Sequence, residues 1–215
     1  FPADNRLAPP DEILYKRALV LAPGRFDAVG LLHAELIAST LAQLPRGELG
    51  EGKGGLGLFC LSISPAAPDQ HSPTVREIAT QVDALQKLGY GVMVFRAREL
   101  YIMSAFVNRY TKSRIHFAIG LTVLVRVLQD AYLNLPGSLL EGIARLFQQN
   151  VRLIVYPMAL ADVEGRGAIT GLTGWSWKET AGMVYAEDLH PPEPIMFLYR
   201  YLLASQFILP ARPKA

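Results

Sequence analysis

The feature that most constrains this chain is a rhythm. Short apolar runs, each closed by a turn or a break, alternate with segments whose apolar residues recur at helical spacing. The runs are ALVLAPG (18–24), LGLFCLSIS (56–64), GVMVFRA (91–97), RIHFAIG (114–120) and VRLIVYPM (151–158). Continuous apolar runs of this length are the mark of strands buried on both faces. Between the first two lies AVGLLHAELIASTLAQL (28–44), with Leu32, Leu36, Ile37 and Leu41 on one helical face, followed by the Gly-rich loop 46–55. Segment 72–89 carries its own signals: Ser72 as cap, Pro73 at the first helical position, Gly89 just past the end. Val75, Ile78, Ala79, Val82 and Leu85 form its expected inner face. Helices are also expected over 98–110, 121–133 and 138–150, the last two parted by Leu135-Pro136-Gly137, and near Pro194–Ser205 after a loop around Gly165–Gly174.

Parallel neighbours need crossover connections, and these are right-handed. The alternation therefore predicts an α/β chain: a doubly wound, parallel, five-stranded Rossmann-like sheet with a short helical C-terminal tail. The expected division is a lead segment over 1–16, one domain over 17–208 and a tail over 209–215. In such sheets ligands bind outside the strand carboxyl ends. Chemistry is accordingly expected just after residues 22, 64, 97, 120 and 157.

Composition excludes several classes. With 215 residues, 51% of them apolar and 19% charged, the chain is far from the disordered regime. The mean hydropathy of +0.22 fits a face covered by something else. Lys and Arg number 21 against 19 Asp and Glu, a net charge of +2, which gives no electrostatic reason to expect nucleic acid or an anionic membrane. Cys60 is the single cysteine, which rules out an intrachain disulfide and a cysteine-based zinc site. The opening FPADNRLAPPDE lacks the pattern of a signal peptide, and a start at Phe1 reads as a fragment or a processed product. The apolar stretch 117–133 is broken by Arg126 and Asp130, well short of the roughly 20 residues a bilayer requires. No membrane association and a cytoplasmic location are expected.

Among candidate groups, Arg96 and Arg98 follow a strand carboxyl end, where the bidentate guanidinium suits phosphate or carboxylate. Lys112 and Arg114 precede the fourth strand and belong to the opposite edge; with Arg109 they complete a basic cluster whose plainer reading is a solvated rim or pairing with Glu99. His71 and His116 read as structural, no residue spacing resembles a metal site, and Ser62, Ser64 and Ser113 lack a nucleophile-elbow context. Trp175, Trp177, Tyr185 and Phe197 form a stacking surface, a docking patch or an ordinary tail packed on the core.

The turn after the first strand reads Gly24-Arg25-Phe26-Asp27-Ala28-Val29-Gly30-Leu31-Leu32-His33. It resembles the signature G-x-F-D-x-x-[H/T]-x-G-H of HIGH-type nucleotidyltransferases, with Gly24, Phe26, Asp27 and His33 in place. A second stretch, 117–133, is similar to the corresponding strand and helix of nicotinamide and nicotinate mononucleotide adenylyltransferases through Phe117, Gly120, Leu124, Arg126 and Tyr132. Arg76 lies where that family keeps an Arg-bearing helix, and 189–208 is similar to its last element. The resemblance implies adenylyl transfer from ATP, accompanied by Mg²⁺, to a phosphate-bearing acceptor. It implies nucleotide contacts at Gly24, Arg25, Phe26, Asp27, Gly30, His33, Arg76, Arg96, Arg98 and Gly120, with His33 as the remaining catalytic group. In that family, positioning and positive electrostatics do nearly everything.

The departures remove physical functions. Gly30 stands where the first His or Thr belongs, and Leu32 where the family has Gly. Leu121-Thr122-Val123 takes the place of a carboxylate-bearing stretch. No I-S-S-T-x-x-R follows; Trp175-Ser176-Trp177-Lys178-Glu179-Thr180 has the wrong order. Losing one preorganised donor typically costs about 10²–10³-fold in rate. The expectation is a nucleotidyltransferase-like protein with a decayed catalytic set that binds a nucleotide or phosphate compound. The alternatives are a non-catalytic interaction domain, in a homo-oligomer or beside an upstream domain of the same chain, and an active adenylyltransferase.

Overall fold

The computed structural model describes residues 2–3, 7–26, 30–45, 54–63, 72–129, 132–148, 150–166, 174–178 and 182–212. Asp27, Ser64, His71 and the Gly-rich loop 46–53 lie outside the described residues. The chain forms two compact units, Phe1–Phe117 and Ala118–Ala215.

The first unit runs α1 (Pro10–Leu14), β1 (Leu19–Gly24), α2 (Leu31–Gln43), β2 (Leu56–Ser62), α3 (Val75–Gln86), β3 (Gly91–Phe95), α4 (Leu100–Val107) and β4 (Ile115–Gly120), the last strand crossing into the second unit. All its pairings are parallel: β1 on β2 from Leu19↔Leu56 to Gly24↔Leu61, β2 on β3 from Leu58↔Gly91 to Ser62↔Phe95, and β1 on β4 from Leu19↔Ile115 to Leu21↔Phe117. β1 is paired on both sides, and Leu19, Val20 and Leu21 are fully buried. This is the condition under which an uninterrupted apolar run is the stable sequence for a strand.

The second unit runs α5 (Leu121–Gln129), α6 (Ser138–Phe147), β5 (Val151–Tyr156), β6 (Met158–Ala159), α7 (Leu160–Arg166), β7 (Ser176–Trp177), β8 (Met183–Val184), β9 (Leu189–His190), α8 (Glu193–Ala204) and β10 (Ile208–Pro210). β10 lies parallel on β5, Ile208↔Leu153 to Pro210↔Val155. Two short antiparallel pairs, β6 with β8 and β7 with β9, fill the tail. The main sheet has the order β10-β5-β4-β1-β2-β3. The fold is a six-stranded, Rossmann-like parallel α/β sheet. Its sixth strand, β10, comes from a three-residue segment within the short apolar stretch 207–211, which follows α8. Among the described residues no helix is long and apolar enough to cross a membrane.

Local differences from the sequence reading have physical causes. α3 begins at Val75, with Thr74 rather than Ser72 as its cap. The Glu77 N–H donates to Thr74 Oγ1 at 3.3 Å, and the Thr74 N–H donates to Glu77 Oε2 at 2.7 Å. This reciprocal capping box outcompetes the Ser72-Pro73 start. The buried stripe then falls on Val82, Leu85 and Gln86, while Val75 is 84% exposed and Ala79 is exposed. The fifth apolar run breaks at Pro157, which cannot donate to a ladder, and splits into β5 and β6. In the tail, Trp175 is buried with its ring 5.9 Å from Tyr199, whereas Phe197 is 75% exposed and Tyr185 lies under the Arg212 guanidinium at 4.7 Å. These three tail aromatics therefore have different surroundings, and Trp177 is half-buried in β7.

Helix α2 crosses β2 at Gly57. A Cβ there would overlap Ile37 Cγ2, and Ile37 is fully buried. Gly57→Ala is expected to lower stability by about 1–3 kcal/mol through overpacking. Ile37→Ala alone is costly because it leaves a cavity, but in the double variant the two losses add to less than their sum. Urea unfolding of the four-member cycle measures this coupling.

Candidate functional site

The strand order reverses at β1, so the turn after its carboxyl end is where a sheet of this kind offers a ligand site. Gly24 ends the strand, and Phe26 follows in the left-handed region at φ 54°. A bulky side chain in that region stores on the order of 1–3 kcal/mol and persists only where packing enforces it. The packing is visible. The Phe26 ring meets Phe59 edge-on at 5.3 Å and His33 at 5.2 Å. A Cβ on Gly24 would come 3.0 Å from Phe26 Cζ. The glycine thus makes room for the ring, and Phe26 is a core residue beneath the turn. The Arg25 carbonyl accepts from Gln81 Nε2 at 3.4 Å, tying the turn to α3. Asp27 lies outside the described residues.

Gly30 is the N-cap of α2, with extended backbone and no side chain to cap the helix. His33, three residues on, supplies the cap in reverse. Its Nδ1 lies 3.2 Å from the Gly30 nitrogen. Nδ1 also lies 3.2 Å from the Gly30 carbonyl, which accepts the His33 N–H at 3.1 Å and has a second lone pair, so the ring tautomer decides whether Nδ1 accepts from the Gly30 N–H or donates to that carbonyl. Either way the imidazole is held against the first turn of α2, where the helix N–H groups point out of the helix. A Cβ on Gly30 would meet nothing within 4 Å, so the space where the family pattern has a histidine is open.

Parallel register carries other groups to the same edge of the first unit. Gly24 is level with Leu61 and Ser62 with Phe95, so Arg25, Ser62 and Arg96 fall within about one residue of a common level. Ser62 Oγ donates to the Ala97 carbonyl at 2.9 Å, and the Arg98 N–H donates to Glu99 Oε2 at 3.0 Å. These bonds hold the segment that carries Arg96 and Arg98. Arg76 is exposed in the first turn of α3, at the same carboxyl edge by the sense of the crossover. Sequence reasoning named these arginines but not the Ser62 latch; a lone serine closing a buried strand was its only signal.

Gly120 closes β4 in the second unit and α5 starts at the next residue. Phe117 and Leu124 are buried, Arg126 is exposed, and the buried Tyr132 hydroxyl donates to the Val127 carbonyl at 3.0 Å. Cys60 lies fully buried in β2, and burial pushes its thiol far above the ordinary range, so it is no nucleophile. Among the described residues no cluster of His, Cys, Asp and Glu could hold a metal ion. Comparison with protein-family models and with curated proteins finds no match to this chain.

The Thr74 cap that sets the first turn around Arg76 is itself pH-dependent. Hydrogen bonds from the Thr74 backbone and hydroxyl lower the Glu77 carboxyl below its ordinary value. A depressed folded-state value means stabilisation that is complete above the ordinary glutamate range, about pH 4.3, and lost as pH falls through the folded value. Glu77→Gln is expected to lower the urea midpoint at neutral pH. The gap to the parent protein should close as the solution becomes more acid.

Proposed function

We propose that the first unit binds a nucleotide or related phosphate compound at the carboxyl edge of its sheet, in a nucleotidyltransferase-like site that no longer transfers an adenylyl group. The observation that carries this reading is the placement, at the end of the first unit's sheet where its strands finish, of the α2 N-terminus with the His33 imidazole and of residues Arg25, Arg76 and Arg98. Helix N-termini and guanidinium forks are the two devices by which proteins hold phosphate without a metal. Loss of transfer rests on Gly30, which contributes no side chain where a second donor to the triphosphate is needed. Mg²⁺, where it takes part, arrives with the nucleotide.

The test is calorimetry with ATP, nicotinamide mononucleotide, nicotinate mononucleotide, NAD and inorganic phosphate. Binding should weaken with salt. His33→Ala and Arg76→Gln should each weaken it by about ten-fold, the scale of one charge-assisted hydrogen bond. ATP with any acceptor should release no pyrophosphate. Silence from every compound at millimolar concentration overturns the reading.

A second reading, a domain that works by protein contact, is favoured by one feature of the second unit. Phe197 and Tyr201, four residues apart on α8, are 75% and 60% exposed. Light scattering should then show self-association that Phe197→Asp abolishes; a monomer at all concentrations removes homo-oligomerisation from consideration.

A further inference from the structure

The first unit contains a cavity, and none of the described residues of 24–33 line it. It has a volume of about 340 Å³ and lies between the lead segment with α1 on one side and edge strand β3 with α4 on the other. Its walls are apolar, with Ile13 and Leu14 from α1 facing Val92, Met93 and Phe95 from β3 and Phe106 from α4. Among the described residues Arg96 is the one charged residue of the lining; it is exposed, and no described residue is paired with it. Small-molecule sites take this form, an apolar pocket of roughly 300–1,000 Å³ with a few polar groups that fix orientation.

We infer that this cavity binds a linear aliphatic carboxylate, tail among the α1 and β3 side chains and head on the Arg96 guanidinium. Charge decides the head group. One guanidinium fork matches one carboxylate in charge and in bidentate geometry, whereas a phosphate dianion would leave charge uncompensated at this mouth. Size decides the tail, because the volume lies at the low end of the ligand-site range and suits a short chain.

The wall on the α1 side gives a way in. A helix of five residues has little stability of its own. Leu14 is its buried anchor, while Leu7, also in the lining, is 78% exposed. The Gln86 amide donates to the Pro2 carbonyl and pins the far end of the segment.

The experiment is calorimetry of the whole chain with hexanoate, octanoate and decanoate, and with the matching alcohols. Each added methylene should tighten binding by about four-fold until the cavity is full, the increment expected of a buried CH₂ group. Carboxylates should bind about ten-fold tighter than alcohols, and Arg96→Gln should erase that difference while leaving alcohol binding unchanged. Met93→Trp should fill the cavity and abolish binding of both series, and Ile13→Trp should do the same from the opposite wall. Circular dichroism confirms that each variant is folded. ATP and phosphate binding should survive Met93→Trp, so failure here and failure of the phosphate site are read separately. Equal affinity for acid and alcohol, no dependence on chain length, or no binding at all overturns the proposal.

Discussion

The two-sided burial of β1 is the constraint from which the rest of the first unit follows. Leu19, Val20 and Leu21 have no exposed surface, and their backbone groups are satisfied only because β2 and β4 pair on both sides. Both partners run parallel to β1, an arrangement that no hairpin can produce, and each must be reached by a crossover. The crossover places the start of α2 just past the end of β1, and that of α3 past the end of β2. Polar chemistry therefore collects at one edge before any residue is chosen to perform it.

What is chosen at that edge answers first to packing. Phe26 adopts a left-handed conformation, and the compensation is an aromatic chain running from His33 through Phe26 and Phe59 to Tyr90. Gly24 is small because the Phe26 ring covers it. His33 is held at the start of α2 through Nδ1, which lies 3.2 Å from the Gly30 nitrogen and from its carbonyl. Residues that read as a nucleotide signature thus carry the turn's own stability before any ligand is considered.

Strands β1 to β5 were legible because burial on two faces writes itself as an unbroken apolar run, and each lies within the stretch that such a run marks, while their order in the sheet came only from the pairing. β10 was not legible: three residues after a helix form no pattern, and Ile208–Pro210 become a strand only because β5 offers an edge. The register of α3 was misread where two capping signals compete, Ser72-Pro73 and Thr74 with Glu77; only the second closes both hydrogen bonds. At the site, the arginines were visible by position after strand ends. The role of Phe26 was not, since a left-handed phenylalanine is decided by what surrounds it. The cavity beside β3 was invisible for the same reason: its wall is the lead segment 1–16, whose polar and proline-rich sequence gives no sign of packing.

Fixed positive charge at the edge of the first unit argues for binding rather than transfer. Uniform attraction for phosphate lowers the ground state of a nucleotide as much as its transition state, and so contributes affinity without rate. Acceleration needs donors aimed at the charge that develops on the leaving pyrophosphate, in a position where they gain strength only during reaction. The arginines at 25, 76 and 98 stand on a strand end, a helix start and a loop held by Ser62, each suited to attract an anion. The open space above Gly30 is where a side chain would have to point to do more. A histidine there would start from open space, since a Cβ on Gly30 touches nothing within 4 Å. If Gly30→His adds no pyrophosphate release from ATP, a single added donor at this turn is not enough for transfer, and the edge as it stands serves affinity alone.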